Sequence, residues 1–219
     1  MTGTRPQRIG VLGGTFDPVH LGHVTSAEQI ARDFDLDRIL LVLSARPPHK
    51  NETANAPVED RLAMLRLAAA GAPRLEVSEV EVSRSGPSYT VDTLRELARA
   101  HPQAELSLIL GMDAWLEVDS WHKPEELLAL AHVIVTTRPG LEIPDTLALP
   151  PVVARSACWY DSDIRSYVHR SGHRLTAHVI QGIEASSTDI RRRVREGIPF
   201  EHLVPHAVAR YIHDRGLYA

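Results

Sequence analysis

Apolar positions along the chain switch repeatedly between a short unbroken run and a helical period. Arg8 to Leu12 is an apolar run that ends at Gly13 and Gly14, and Leu21 to Phe34 mixes polar and apolar residues with no Pro or Gly after Gly22. Strand, turn and helix are predicted in that order. Arg38 to Leu43 predicts a buried strand, and Ser44 to Pro57, with Pro47, Pro48 and Pro57, a loop. Val58, Leu62, Leu65 and Ala69 fall at helical spacing, with acidic residues in the first turn and Gly71 past the end. Leu75 to Val82 returns to strand. Ser88 to Ala100 predicts a helix with Ser88 or Thr90 as its N-cap, Leu106 to Leu110 a strand, Pro124 to Ala131 a helix and His132 to Thr136 a strand.

This alternation predicts an α/β fold: a Rossmann-like parallel sheet with right-handed crossovers, helices on both faces and a small C-terminal helical portion. Beyond Arg138-Pro139-Gly140 the pattern weakens, and Leu141 to Gly172 reads as loops plus a short helix. Leu175 to Ile180 alternates as a strand, a helix runs from about Ser187 to Glu196 before Gly197, and a last helix spans roughly Pro205 to Asp214. The expected organisation is one domain over residues 1–219, with a core over about 1–180 and the helical portion over about 181–219. There is no internal repeat and no low-complexity segment.

Composition narrows the function. The 219 residues are 43% hydrophobic, enough for one sizeable core. The 24 basic and 28 acidic residues give a formal charge of −4, which lacks the broad positive field of a dedicated nucleic-acid binder. Cys158 is the single cysteine, so no disulfide forms within the chain. No apolar h-region follows Met1 to Gly10 and no apolar run reaches ~20 residues, so a cytoplasmic protein with no membrane partner is expected. The oligomeric state stays open, a homo-oligomer included.

Candidate chemistry begins at Gly13-Gly14-Thr15-Phe16-Asp17-Pro18-Val19-His20-Leu21-Gly22-His23. Glycines let the backbone approach a ligand, and the N–H groups opening the next helix favour an anion. The segment lacks the Gly-Lys-Ser/Thr end of a Walker loop and the Gly-x-Gly-x-x-Gly dinucleotide pattern. His20 and His23, three residues apart, can both face one ligand and stabilise charge on a transferring phosphoryl group. A capping or metal-binding pair is the other reading, although metal sites commonly use three or four protein ligands. The segment resembles the signature of the adenylyltransferase superfamily that carries His-x-Gly-His. The resemblance implies that His20 and His23 are catalytic and that Gly13, Gly14, Thr15 and Phe16 join them in binding ATP.

At the other end, Ser186-Ser187-Thr188-Asp189-Ile190-Arg191 opens a predicted helix, where hydroxyls, N–H groups and Arg191 suit phosphate. Simple capping by Ser187 or Thr188, with a solvated basic face in Arg191-Arg192-Arg193, is the alternative. The segment is similar to the Ile-Ser-Ser/Ala-Thr-x-Ile-Arg motif of bacterial nicotinate-nucleotide adenylyltransferases, with Ala185 in place of isoleucine. The likeness gives Ser187, Thr188 and Arg191 phosphate roles and has the C-terminal portion complete the ATP site.

Pro47-Pro48-His49-Lys50, Ser88-Tyr89-Thr90-x-Asp92-Thr93-Leu94, Gly111-x-Asp113, Trp121 and Arg138-Pro139-Gly140 extend the likeness to the same family over nearly the whole chain. Solvated loops, caps and core packing of Trp121 are the other readings of these segments taken singly. The resemblance implies transfer of AMP from ATP to nicotinate mononucleotide, with Mg2+ held mainly by ATP oxygens. Gly111 and Asp113 fall to ATP. His49, Lys50, Thr90, Trp121, His122 and Arg138 fall to the acceptor, Trp121 stacking on the pyridine ring. His122 stands where many relatives carry tyrosine. Phosphopantetheine adenylyltransferase and a noncatalytic nucleotide sensor are the competing expectations.

Overall fold

The computed structural model describes residues 5–46, 55–137 and 158–219. Its strands are β1 (Gln7–Gly14), β2 (Arg38–Leu43), β3 (Leu75–Ser78), β4 (Ala104–Gly111), β5 (His132–Thr137), β6 (Cys158–Asp161), β7 (Ser166–His169) and β8 (Arg174–Val179). Its α-helices are α1 (Leu21–Asp33), α2 (Val58–Ala69), α3 (Thr90–Ala100), α4 (Met112–Leu116), α5 (Leu127–Leu130), α6 (Ser187–Glu196) and α7 (His206–Arg215). The strands form one sheet in the order β3-β2-β1-β4-β5-β8-β7-β6, parallel from β3 to β8 and antiparallel through β7 and β6.

Alternation along each strand divides the core between the two faces. Ile39, Leu41 and Leu43 of β2 join Ile30, Met64, Leu65, Ile190 and Ile212, which come from α1, α2, α6 and α7. Leu40 and Val42 face the other way and join Val11, Leu94, Leu108, Leu128 and Val133. The chain leaves β1 for β2 on one side and later places β4 on the other, so the strand order reverses beside β1. Open α/β sheets bind ligands in the crevice at the carboxyl ends of the strands where that reversal occurs.

Four sequence expectations change. The strand expected to reach Val82 stops at Ser78, because its single neighbour β2 pairs no further than Val42 with Ser78, and residues 79–83 turn instead. The helix expected over Pro124 to Ala131 is a 3-10 turn over Pro124–Glu126 followed by the single turn α5. Tyr89, not Ser88 or Thr90, is the N-cap residue of α3, and the Ser88 hydroxyl accepts the Arg46 amide at 3.1 Å. Where loops and a short helix were expected up to Gly172, the described part holds the β6–β7 hairpin, its turn fixed by Asp161 Oδ1 accepting the Asp163 and Ile164 amides at 3.0 and 3.4 Å.

Candidate active site

β1 continues through Gly13 and Gly14, one residue pair further than its apolar run, and delivers the chain to the reversal point. Phe16 follows in the left-handed region at φ 47°, and its ring lies so close over Gly14 that a Cβ there would stand 2.9 Å from it. Glycine is required at that position by the ring, not by the turn. The same ring meets His23 edge-on with centroids 5.0 Å apart, and His20 stacks on His23 at 3.7 Å. His20 is buried and is the N-cap residue of α1. Its amide donates to Nδ1 of His23 at 3.3 Å, so in the neutral ring the proton lies on Nε2, on the far side of the imidazole. Gly22 is equally constrained: a Cβ would sit 2.9 Å from the carbonyl oxygen of Ile183, just before α6. The motif's glycine thus lets the two ends of the chain approach each other.

Asp17 holds this loop in place. Its buried carboxylate accepts the amides of Asn55 and Ala56 at 2.7 and 3.1 Å and the Tyr218 hydroxyl at 2.8 Å. Arg61, 1% exposed, donates to the carbonyls of Thr15 at 2.8 Å, Ser44 at 3.0 Å and Ala56 at 3.2 Å, tying together the loops after β1 and β2. Burial lowers the Arg61 guanidinium from its ordinary value, partly opposed by Asp17 and Tyr218, but an arginine keeps its charge. Neither residue was singled out in the sequence, where Asp17 lies within the Gly13-to-His23 segment without a role of its own and Arg61 within the helix from Val58 to Ala69.

The start of α6 comes directly against this loop. Ser187 Oγ donates to the Pro18 carbonyl at 2.9 Å, and Arg191 Nη1 donates to the Asp17 carbonyl at 2.7 Å. Ser186, not Ser187 or Thr188, caps the helix by accepting the Asp189 amide at 3.1 Å. The Thr188 hydroxyl accepts from Arg191 Nη2 at 3.3 Å, which leaves its own proton to donate. Arg192 and Arg193 are both paired with Asp189 at 2.6 Å, and hydrogen bonds from Arg193 and Arg192 hold the Asp189 carboxyl below its ordinary value. The basic run therefore divides by role: Arg191 faces the loop, while its two neighbours are neutralised on the helix.

Gly111 ends β4, next to β1, and is the N-cap residue of α4, with exposed Asp113 in its first turn. Among the described residues no atom lies within 4 Å of where a Cβ on Gly13 or Gly111 would be, so both present open backbone. Thr90 opens α3, and the preceding Tyr89 ring stacks on His122 at 4.3 Å. Trp121 packs part-buried against the second core cluster. Thr90, Trp121 and His122 are thus gathered beside one aromatic contact. His49, Lys50 and Arg138 lie outside the described residues.

The fold and this loop pair define a nucleotidyltransferase class. Residues 11–193 match the family model of cytidylyltransferase-like proteins. The probable nicotinate-nucleotide adenylyltransferase of Geobacter sulfurreducens is 40% identical over 213 residues, covering 97% of this chain and 98% of that one. That of Chromohalobacter salexigens is 41% identical over 217 residues, covering 98% and 97%. The solved structure of Plasmodium falciparum nicotinic acid mononucleotide adenylyltransferase complexed with NaAD has the same fold, with a TM-score of 0.73 at 18% identity and 97% of each chain covered. The chain belongs to the nicotinate-nucleotide adenylyltransferase family of the cytidylyltransferase-like proteins.

Proposed function

We propose that the protein transfers AMP from ATP to nicotinate mononucleotide, forming nicotinate adenine dinucleotide and pyrophosphate, a step of NAD synthesis. The observation that carries this reading is the meeting of two phosphate-suited helix starts, α1 and α6, at the strand-order reversal, with Ser187 and Arg191 hydrogen-bonded to Pro18 and Asp17. The family membership supports nicotinate mononucleotide as the acceptor.

The mononucleotide phosphate is already anionic at neutral pH, so its oxygen attacks the α-phosphorus of ATP without a general base. One P–O bond forms and the bond to the pyrophosphate oxygen breaks. Catalysis reduces to alignment and charge stabilisation. His20 and His23 donate to the phosphates as charge moves to the leaving group, and Thr188, Arg191 and the amides of α6 hold the polyphosphate from the other side. Ser187 contributes chiefly through its contact with Pro18, because its hydroxyl proton is committed there. Gly13, Gly14, Thr15, Phe16, Gly111 and Asp113 frame the ATP side. His49, Lys50, Thr90, Trp121, His122 and Arg138 take the acceptor, with Trp121 against the pyridine ring. We treat residues from about 181 onward as the part of a single domain that completes the ATP site.

The donors around the loop are imidazole N–H, hydroxyl and guanidinium groups, which suit phosphate oxygens better than a hard cation. Mg2+, the divalent ion we infer, is therefore held by ATP oxygens and water and supplies charge neutralisation on the triphosphate. No helix among the described residues is long and apolar enough to cross a membrane. We infer a cytoplasmic site of action from the proposed substrates.

An acceptor panel with ATP tests the reading. Pyrophosphate release is expected to be at least about tenfold faster with nicotinate mononucleotide than with its amide or with phosphopantetheine, a margin a few placed polar contacts can supply. Equal rates with acid and amide would refute acid selectivity, and preference for phosphopantetheine would refute the acceptor.

A further inference from the structure

Tyr218 lies beyond α7, after the left-handed Gly216, in the left-handed region itself at φ 67°. Leu217 and Tyr218 pack against the first core cluster, and the Tyr218 hydroxyl reaches Asp17 Oδ1 at 2.8 Å. The same Oδ1 accepts the Ala56 amide, Oδ2 accepts Asn55, and the Asp17 carbonyl accepts Arg191. One residue of the loop thus joins the segments before α2, at the start of α6 and after α7. Three positions further along the chain is His20. The helix carrying the tail is itself fastened to α2, where Tyr211 donates to Asp60 at 2.9 Å and Arg215 pairs with it at 3.2 Å.

We propose that Tyr218 is a positioning residue for adenylyl transfer: its hydroxyl sets the Asp17 carboxylate, and through it the His20–His23 pair and Arg191. The inference rests on the reaction proposed above. The Tyr218 hydroxyl is committed to Asp17 Oδ1, so its effect on the loop runs through that carboxylate. Burial and the neighbouring carboxylate push its phenol above the ordinary value, which keeps the proton on the hydroxyl and the contact intact across the working pH range. Losing the hydroxyl leaves Oδ1 with the Ala56 amide and frees the loop to shift. A small displacement of the imidazoles costs alignment with the transition state far more than it costs binding at the Thr90–Trp121 side, which different elements hold.

The test compares Tyr218→Phe with Tyr211→Phe, which removes a hydroxyl contact from the same tail without touching Asp17. Tyr218→Phe is expected to lower kcat roughly tenfold with the KM for nicotinate mononucleotide within about twofold, and to shift the imidazole NMR resonances of His20 and His23 in the ligand-free protein. Tyr211→Phe is expected to leave kcat and those resonances close to wild type. Asp17→Ala, which removes the acceptor itself, supplies the coupling: if Tyr218 acts through Asp17, adding Tyr218→Phe to it lowers kcat little further. Unchanged imidazole resonances and kcat in Tyr218→Phe would overturn the proposal, as would equal losses in the two tyrosine variants or fully additive losses with Asp17→Ala. A wild-type protein that makes no nicotinate adenine dinucleotide would refute the proposed reaction, and the imidazole resonances would still decide whether Tyr218 sets the loop.

Discussion

At the carboxyl ends of the parallel strands, buried charged groups bond to backbone: Arg61 to three carbonyls, and Asp17 to the Asn55 and Ala56 amides. At the amino ends the charges lie nearer solvent and bond chiefly to one another, with Asp37 also accepting the Arg8 amide at 2.8 Å. Arg5 pairs with Asp37 at 2.8 Å and with Asp35 at 3.6 Å, and Arg8 reaches Asp35 and Glu105, each at 3.6 Å. The two ends of one sheet are therefore held by different means. A buried group bonded to fixed backbone admits one geometry, because any other leaves it unsatisfied in a medium that penalises it. Exposed pairs are screened and can rearrange at little cost. The end that must align a nucleophile and a leaving group is built from the first kind.

Removing one buried group breaks this contrast most sharply. Asp17→Ala leaves the Asn55 and Ala56 amides and the Tyr218 hydroxyl without their acceptor and withdraws the negative charge nearest Arg61. The expected loss in urea unfolding is about 3 kcal/mol or more. A loss no larger than that of a surface variant would erase the distinction between the two ends.

A smaller effect is expected from His132, the half-buried exception at the amino ends. Its Nδ1 accepts the Arg174 amide at 3.0 Å and its ring meets His173 edge-on at 5.0 Å, so the neutral form is required. Burial first, and the neighbouring His173 next, push it down to about 4, and burial lowers His169 as well. The unfolded chain takes up these protons near pH 6.5 while the folded one resists them. Stability is therefore full above about pH 6.5 and falls as the pH drops towards 4, by about 2 kcal/mol for His132 once solvent screening of its half-exposed ring is allowed for. Urea midpoints across that range should show the decline, and His132→Asn should flatten it. The smallest effect belongs to Arg5→Gln, which should leave the urea midpoint within error at physiological salt. A clear drop would show that the amino-end pairs are more than solvated contacts.

Local chemistry was legible in the sequence wherever one segment carried it. The start of α1 at His20, β2 over Arg38–Leu43 and α2 over Val58–Ala69 follow from period and punctuation alone. The meeting of the first loop with the Ser187–Arg191 segment was legible through the family likeness, which places both at one site, and the contacts of Ser187 and Arg191 to Pro18 and Asp17 bring them together. What escaped depends on contacts between distant segments. Tyr218 meets Asp17 across 201 positions, Gly22 is required by the Ile183 carbonyl, and Arg61 looks like any polar residue of an amphipathic helix until two loops fold over it. The β6–β7 hairpin escaped for another reason: its strands are four residues each and carry polar and aromatic residues in no clear alternation.

The central claim is that the loop from Gly13 to His23 lowers the barrier to AMP transfer, beyond holding ATP. Single-turnover formation of nicotinate adenine dinucleotide by His20→Ala, set beside its ATP affinity, tests this most directly. The predicted result is a rate lowered about 100-fold or more with a Kd for ATP within about threefold of wild type. An unchanged single-turnover rate, or a loss accounted for wholly by weaker ATP binding, would contradict it.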